Sequence, residues 1–289
     1  MNCKFYFKPS NLNELKDYLN TCNDNVSYIA GGTDVILHAR ENDVYKDSVV
    51  IDIFGMKDLQ GIKEDGDKII IGAASTHTEV EKNLIVQKYA DVLAMACRTV
   101  GSVLIRNHST VAGNICNASP AADSLSSLAV LDAHVKVLRN GEFIDMPLID
   151  VIDKPGKTNL QNKDLVTEII VNKLPDGTKC DFFKLGRRKA LAISRMTIST
   201  ICHMKPDGII DLFSMTCGAT FPKPMTFKDI DSILIGKKPT EELVNEVAKK
   251  LSNKIPEIAG IRKSTIYKQP VCERIAIRIL SKMLLNKEA

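Results

Sequence analysis

The sequence lacks the cysteine and histidine spacings that hold metals. Its eight cysteines (Cys3, Cys22, Cys97, Cys116, Cys180, Cys202, Cys217 and Cys272) are scattered without a CxxC pair, and its five histidines show neither HxxxH nor HExxH. No short segment encodes a zinc or iron–sulfur site, and the thiols read as free cysteines of a reducing compartment. No apolar run approaches the roughly 20 residues that a membrane-spanning helix requires. The opening "MNCKFYFKPSNLNELK" has no long apolar core and no small-residue cleavage site, so the chain is expected to carry no export signal and to be cytoplasmic. Surplus charge is small, +4 over 289 residues with no basic block, which argues against nucleic acid and membrane surfaces as partners. Familiar catalytic signatures are missing as well. No GxGxxG follows a strand, and no GxSxG occurs. Gly156-Lys157-Thr158 ends like a P-loop, but the first glycine it requires would fall at Val151. There is no internal repeat and no low-complexity tract.

What remains is an ordinary globular composition, 44% apolar and 26% charged, on a chain long enough for two compact units. Asn11 or Asn13 can cap a helix through about Asn20, with Leu12, Leu15 and Leu19 on one face. "VSYIA", "SVVIDIF" and "KIIIGAAST" read as strands, the last introduced by the turn-like "EDGD". A helix containing a break is expected from Thr78 to about Val100. Residues 101–120 are rich in Ser, Asn and Gly without a helical period and read as a long loop, a class that is usually functional. "DSLSSLAVLDAHVKVLR" passes from helix to strand. A boundary is expected near "LPDGTKC", giving units 1–176 and 177–289. Beyond it, strands flanking Pro206-Asp207-Gly208 form a hairpin. Two helices follow, the last opening with Pro270 in its first turn and carrying Val271, Ile275, Ile279 and Met283 on one stripe.

Two loops carry residue types suited to a ligand. In "YIAGGTDVI" an apolar strand runs into Gly31-Gly32, followed by Thr33 and Asp34. Adjacent glycines permit positive φ and close backbone approach, and successive N–H groups in such a turn form an anion site suited to a diphosphate. Thr33 offers a hydroxyl, whereas Asp34 is better suited to ordering the loop or meeting a ligand hydroxyl. A plain tight turn is the alternative. In "GSVLIRNHSTVAGNICNASPAAD" the groups of Ser109, Thr110, Asn114, Asn117, Ser119 and Asp123 crowd together, with small residues at Gly101, Ala112 and Gly113. This segment suits an extended ligand bearing phosphates and a polyol, or is a solvated surface loop.

Taken together, "AGGTD", "GS..IRN.STVAGNI.NASPAAD", "FFKLGRRKALAIS" (Phe182 to Ser194) and "IRKSTIYKQPVCERIAIRIL" resemble the FAD-binding subunits of the molybdenum hydroxylases, the xanthine dehydrogenase family. Within that family the likeness is greatest to separate FAD subunits of bacterial xanthine dehydrogenases, and it spans essentially the whole chain. The resemblance implies an α+β fold: a vanillyl-alcohol-oxidase-like (PCMH-type) FAD domain of two subdomains, followed by a smaller α+β flavoprotein C-terminal domain. It implies a first FAD contact over Ser27, Tyr28, Ile29, Ala30, Gly31, Gly32, Thr33 and Asp34. The second contact runs over Ser109, Thr110, Val111, Ala112 and Gly113, continued by Asn114, Asn117 and Asp123, with Gly101 close by. Leu165 matches a position packed near the cofactor. Lys184 matches a lysine at the flavin end, where a cation would favour the reduced, anionic flavin; a surface salt bridge is its alternative. Two departures stand out. Ala112 replaces the first glycine of a Gly-Gly pair common in relatives, and no cysteine-bearing insertion for an additional cluster is present.

The resemblance further implies partners that carry iron–sulfur clusters and a molybdenum cofactor, with NAD as final acceptor and xanthine or another purine as substrate. No residue of this chain then needs to act as acid or base on the substrate. Related FAD subunits serve nicotinate dehydrogenases, aryl-CoA reductases and carbon monoxide dehydrogenases, and a module without FAD that serves only assembly is a further alternative. A free-standing flavin oxidase is disfavoured, because no active-site base and no His or Cys for covalent flavin is evident.

Overall fold

The protein was analysed as a computed structural model describing residues 2–41, 43 and 45–287. The first group of elements is β1 (Phe5–Phe7), α1 (Leu12–Thr21), β2 (Asn25–Ile29), α2 (Val35–Glu41) and β3 (Ser48–Asp52). The three strands form a parallel sheet in the order β1-β3-β2. Asn11 is the cap of α1: its side chain accepts the Glu14 N–H at 2.9 Å, while Glu14 accepts the Ser10 N–H at 2.7 Å. Leu15 and Leu19 face inward and pack with Val49, Ile51, Met56 and Leu59. A parallel sheet presents ligands to the carboxyl ends of its strands, and β2 is followed, after Ala30, by Gly31-Gly32.

The second group contains β4 (Ile62–Asp65), β5 (Lys68–Gly72), α3 (His77–Lys82), α4 (Leu84–Tyr89), α5 (Asp91–Arg98), α6 (Val103–Arg106), α7 (Val111–Cys116) and α8 (Asp123–Val130). It continues with β6 (His134–Arg139), β7 (Glu142–Pro147), α9 (Leu148–Val151), β8 (Ile152–Lys154), β9 (Lys157–Thr158) and β10 (Leu165–Asn172). Five strands make an antiparallel sheet in the order β4-β5-β10-β6-β7. Ile69 and Ile71 of β5 and Ile169 and Val171 of β10 pack against Leu93, Ile115 and Leu128 from the helices. The break expected after Thr78 falls at Asn83, whose side chain accepts the N–H groups of Ile85 and Val86, and a second falls at Ala90. The helix begins one residue earlier than its sequence suggests, because Thr76 forms a capping box with Glu79.

The expectation of a loop without helix over residues 101–120 is corrected. Two one-turn helices, α6 and α7, lie within it, capped by the Ser102 and Thr110 hydroxyls. They are too short to show a period.

The third group is β11 (Lys179–Leu185), β12 (Met196–Met204), β13 (Ile210–Gly218), α10 (Lys228–Asp231), α11 (Glu241–Ala259) and α12 (Lys263–Leu285). Strands β12 and β13 form the expected hairpin, with Lys205 to Ile209 as its turn, and α11 and α12 cover one face of the sheet through Val247, Leu251, Ile275 and Ile279. The placement of Pro270 in a first helical turn is corrected: α12 starts at Lys263 and carries Pro270 in its interior. Proline there leaves the Ile266 carbonyl without its intrahelical donor, which burial of Cys272, Ile275, Ile279 and Leu280 outweighs. The second and third groups share a dry polar seam. Ser126 and Ser127 of α8 meet Thr197 and Ser199 of β12 in hydroxyl contacts of 2.8–3.1 Å.

Candidate functional site

The two loops singled out in the sequence touch. A Cβ placed on Gly31 would lie 1.7 Å from the His108 carbonyl oxygen and 3.0 Å from the Ser109 nitrogen, so only glycine permits this approach of the two backbones. Gly32 follows at φ +71°. Among the described residues, no group of the chain accepts the N–H of Gly32, Thr33 or Asp34. Asp34 does order the loops: Asn117 Nδ2 donates to its carboxylate at 3.3 Å, tying the first loop to the second.

The second loop is held from behind by the segment entering α3. Thr76 bridges Thr110 in antiparallel fashion, the His77 N–H donates to the Ser109 carbonyl at 3.0 Å, and the His77 ring Nδ1 lies 2.9 Å from the same oxygen and 3.0 Å from Ser109 Oγ. His77 is fully buried, and burial holds its ring below the usual imidazole range. A carbonyl only accepts, so the neutral ring carries its proton on Nδ1, and its Nε2, which has no partner, is a bare acceptor. This serine–histidine pair is no nucleophile–base couple, because Nδ1 is committed to a backbone carbonyl and no carboxylate orients the ring.

Between the loops lies a cleft of about 500 Å³, in the range of sites for large organic ligands. Ser27, Tyr28 and the run Ala30 to Asp34 border it on one side; Ser109, Thr110, Ala112, Gly113, Asn114 and Asn117 border it on the other, with Leu165 also on the wall. Tyr28 donates its hydroxyl to the Lys163 carbonyl at 2.8 Å, and burial keeps its proton on well above the usual phenol range. Asn114 accepts from Ser124 Oγ at 2.7 Å, which fixes its amide. Ala112 sits in α7 with ordinary negative φ, so its methyl causes no backbone strain. Ile29 is within β2 and Val111 is turned into the core; neither borders the cleft.

Three further sequence candidates lie elsewhere. Gly101 and Lys184 border a second cleft of about 680 Å³, and Asp123 is buried beside it. Lys184 Nζ donates to Asp123 Oδ2 at 2.5 Å and to the Thr99 carbonyl at 2.9 Å. Thr99 Oγ1 and Ser194 Oγ also donate to Asp123, at 3.1 and 2.5 Å. The lysine is thus in a largely buried ion pair with its charge compensated, rather than in a surface salt bridge. The turn Thr99–Gly101 separates the clefts: Val100 faces the first, Thr99 and Gly101 the second.

Among the residues at the first cleft that sequence reasoning missed are His77, Val100, Ile105, Leu160 and Asp164. The Thr76–Glu79 box was a readable signal for His77; the others depend on tertiary approach. Among the described residues no cluster of His, Cys, Asp and Glu could hold a metal ion, and no helix is long and apolar enough to cross a membrane. The first cleft can bind an extended ligand that brings anionic groups to the glycine loop and flat apolar surface to Leu165, while buried His77 braces the second loop from behind.

Comparison with known proteins agrees with this geometry. Residues 1–173 match the family described as the FAD binding domain in molybdopterin dehydrogenase, and residues 181–283 match the CO dehydrogenase flavoprotein C-terminal domain. The nicotinate dehydrogenase FAD-subunit of Eubacterium barkeri is 31% identical over 287 residues, covering 96% of both chains. The xanthine dehydrogenase FAD-binding subunit of Escherichia coli O157:H7 is 29% identical over 217 residues, covering 73% of both. In fold, the chain is similar to a chain in the solved carbon monoxide dehydrogenase of Hydrogenophaga pseudoflava, with a TM-score of 0.87 at 21% identity, covering 100% of this chain and 99% of that one.

Proposed function

We propose, on the premise that this chain belongs to the FAD-binding subunits of the molybdenum hydroxylases, that its first cleft holds FAD in a complex delivering electrons to NAD. The observation that carries the reading is the meeting of the two glycine-bearing loops, Gly31 against the His108 carbonyl, beside a cleft of about 500 Å³. The residues present fit the group. A Cβ at Gly31 would fill the approach, and three successive N–H groups at Gly32 to Asp34 are free to meet phosphate oxygens. FAD, when bound, supplies the exchange between one-electron clusters and a two-electron hydride acceptor.

The chain's own residues bind and orient. Ser27, Tyr28 and Ala30 to Asp34 form one wall, Ser109, Thr110, Ala112, Gly113, Asn114 and Asn117 the other, and Leu165 gives apolar packing. Ile29 and Val111 contribute through the backbone they carry. Gly101, Asp123 and Lys184 do not line the first cleft but lie across the Thr99–Gly101 turn from it; they are assigned to the flavin end through that turn, where, because Asp123 compensates Lys184, the pair acts as a dipole rather than as a free cation. An iron–sulfur subunit and a molybdenum-cofactor subunit complete the complex, in keeping with the multi-subunit relatives. The oxidised substrate is a nitrogen heteroaromatic, nicotinate or a purine such as xanthine. The nicotinate-type relative matches more of the chain than the xanthine-type one, so the sequence likeness to xanthine dehydrogenases does not single out xanthine.

The test is to purify the chain, record its visible spectrum, and identify the nucleotide released on denaturation. A yellow protein releasing FAD, or a colourless one that takes up FAD stoichiometrically, is the expected outcome. A chain that neither carries nor takes up FAD would leave the assembly-module reading in its place. Co-purification with native partners, followed by turnover on nicotinate and xanthine with NAD, identifies substrate and acceptor.

A further inference from the structure

The wall between the two clefts is held in an unusual way. Three successive carbonyls of the turn that ends α5 are each taken by a side-chain cation. Lys184 Nζ donates to Thr99 O at 2.9 Å, and Arg106 Nη1 donates to Val100 O at 3.1 Å and Gly101 O at 3.3 Å. The cations come from opposite sides: Arg106 ends α6, whereas Lys184 is on β11 of the C-terminal sheet. Each brings its own carboxylate, Asp123 for Lys184 and Glu81 for Arg106, whose Oε2 lies 3.4 Å from Nε. Carbonyls of a turn are ordinarily satisfied by water at no structural cost. Here a guanidinium only 14% exposed is used instead, and its Nε is left buried without a well-formed hydrogen bond. Burying a guanidinium with one donor unsatisfied is unfavourable by itself, so its placement is explained by what its fork holds.

What it holds is the backbone that presents Val100 to the first cleft. We propose that Arg106 is a positioning residue for the cofactor: by fixing the Val100 and Gly101 carbonyls it sets the wall against which the ligand of the first cleft rests, without contacting that ligand. This rests on the reading of the first cleft as the FAD site. Arg106 itself borders the second cleft and not the first, so its influence passes through the turn. Glu81 has a different role. It compensates charge, and it touches neither the turn's carbonyls nor the cleft.

The separation of roles gives the test. FAD affinity of the full chain is measured by quenching of flavin fluorescence, and the melting temperature is measured without FAD, for wild type, Arg106→Met, Glu81→Gln, Arg106→Met/Glu81→Gln and Arg106→Lys. Losing charged hydrogen bonds to two carbonyls is expected to weaken FAD binding by about ten- to a hundredfold in Arg106→Met. Glu81→Gln should stay within about threefold of wild type. The double variant, freed of the carboxylate that then has only the exposed Arg98 as counter-ion, should regain melting temperature but not affinity. Arg106→Lys, a point charge that reaches at most one carbonyl, should lose affinity several-fold, and it carries the test if Arg106→Met does not fold. Unchanged FAD affinity in Arg106→Met or in Arg106→Lys overturns the proposal, as does recovery of both quantities in the double variant, which would reduce Arg106 to a charge partner of Glu81. A wild-type chain that takes up no FAD overturns the underlying reading instead, and the proposal with it.

Discussion

The contact of the two loops can be broken with one methyl group. In Gly31→Ala the new Cβ would sit 1.7 Å from the His108 oxygen and 2.4 Å from its carbon, where ordinary contact begins near 3.4 Å. The partner is backbone, so no side-chain rotation relieves the clash, and the loops must part by roughly 1.7 Å. That displacement exceeds what the neighbouring hydrogen bonds tolerate. The contacts from His77 to the Ser109 carbonyl, at 2.9 and 3.0 Å, would pass the 3.5 Å limit of a useful bond. Overpacking of this kind costs about 1–3 kcal/mol in stability. If the same distortion is felt by a bound cofactor, FAD affinity falls by about ten- to a hundredfold, equivalent to about 1.4–2.8 kcal/mol. Gly55→Ala is the control, since its Cβ would meet nothing closer than 3.7 Å, and it should move neither quantity by more than about 0.5 kcal/mol. The assay pairs FAD titration with a melting curve on each variant. A Gly31→Ala protein with wild-type affinity and wild-type melting would show that the loops do not meet, and the site built on their contact would have to be abandoned.

Ala112→Gly should lower stability by about 1 kcal/mol, because Ala112 is buried in α7 with helical backbone, while leaving FAD affinity within about twofold; a gain in affinity would mean that the methyl had been obstructing the cofactor. Ser199→Ala removes the central hydroxyl of the seam between α8 and β12 and leaves its buried partners Ser126 and Ser127 short of a bond, a loss of about 1–3 kcal/mol by chemical denaturation; a neutral outcome would show the seam to be dispensable. Burial pushes the Asp231 carboxyl from its ordinary 3.8 up to about 7, and one of its oxygens has no partner. The folded chain therefore keeps that proton where the unfolded chain has lost it, so stability from this group is full below pH 3.8 and declines as pH rises towards 7. Asp231→Asn should melt higher than wild type at pH 8, with the gap closing as pH falls towards 4; parallel curves for the two proteins would refute the assignment.

Much of this was legible in the sequence, and the remainder was hidden for identifiable reasons. Asn11 or Asn13 announced α1, and the structure selects Asn11, because a cap and its Leu15–Leu19 stripe are local features. The hairpin around Pro206-Asp207-Gly208 was equally local. The helices α6 and α7 were not legible, since four and six residues cannot display a period of 3.6. Pro270 misled because proline marks a helix start only statistically, and here burial of the flanking stripe carries α12 through it. The glycine loops were visible as loops, but their contact at His108 belongs to the tertiary structure. So does the pairing of Lys184 with Asp123, 61 residues apart, which converts an apparent lone cation into half of a dipole. His77 was overlooked because its role depends on a carbonyl 32 residues away.

On the proposed reading the substrate chemistry lies on a partner subunit, and the arrangement is in keeping with that. The buried polar side chains behind the two clefts are engaged with one another or with backbone: His77 with Ser109, Asp123 with Lys184, Thr99 and Ser194, and Arg106 with the turn and Glu81. A general acid or base must be free to exchange its proton with a reactant, and none of these is: each is held by a partner that the fold supplies, and the one unpaired ring nitrogen, His77 Nε2, is buried. Such engagement confers rigidity at the wall between the two clefts, where, on this reading, a flat redox cofactor has to be kept in one orientation. Fixed geometry with compensated charge suits electron relay, which needs distance and orientation to be constant, better than it suits bond-making on a variable substrate. Replacing Lys184 by Met is then expected to change the flavin midpoint potential less than replacing Asp123 by Asn. Losing the lysine leaves Asp123 still held by the Thr99 and Ser194 hydroxyls, whereas losing the carboxylate leaves the lysine's positive charge without a counter-ion across the turn from the cofactor. Photoreduction titration of the FAD-loaded variants against a reference dye measures both potentials, and a larger shift in Lys184→Met would contradict the compensated-pair reading.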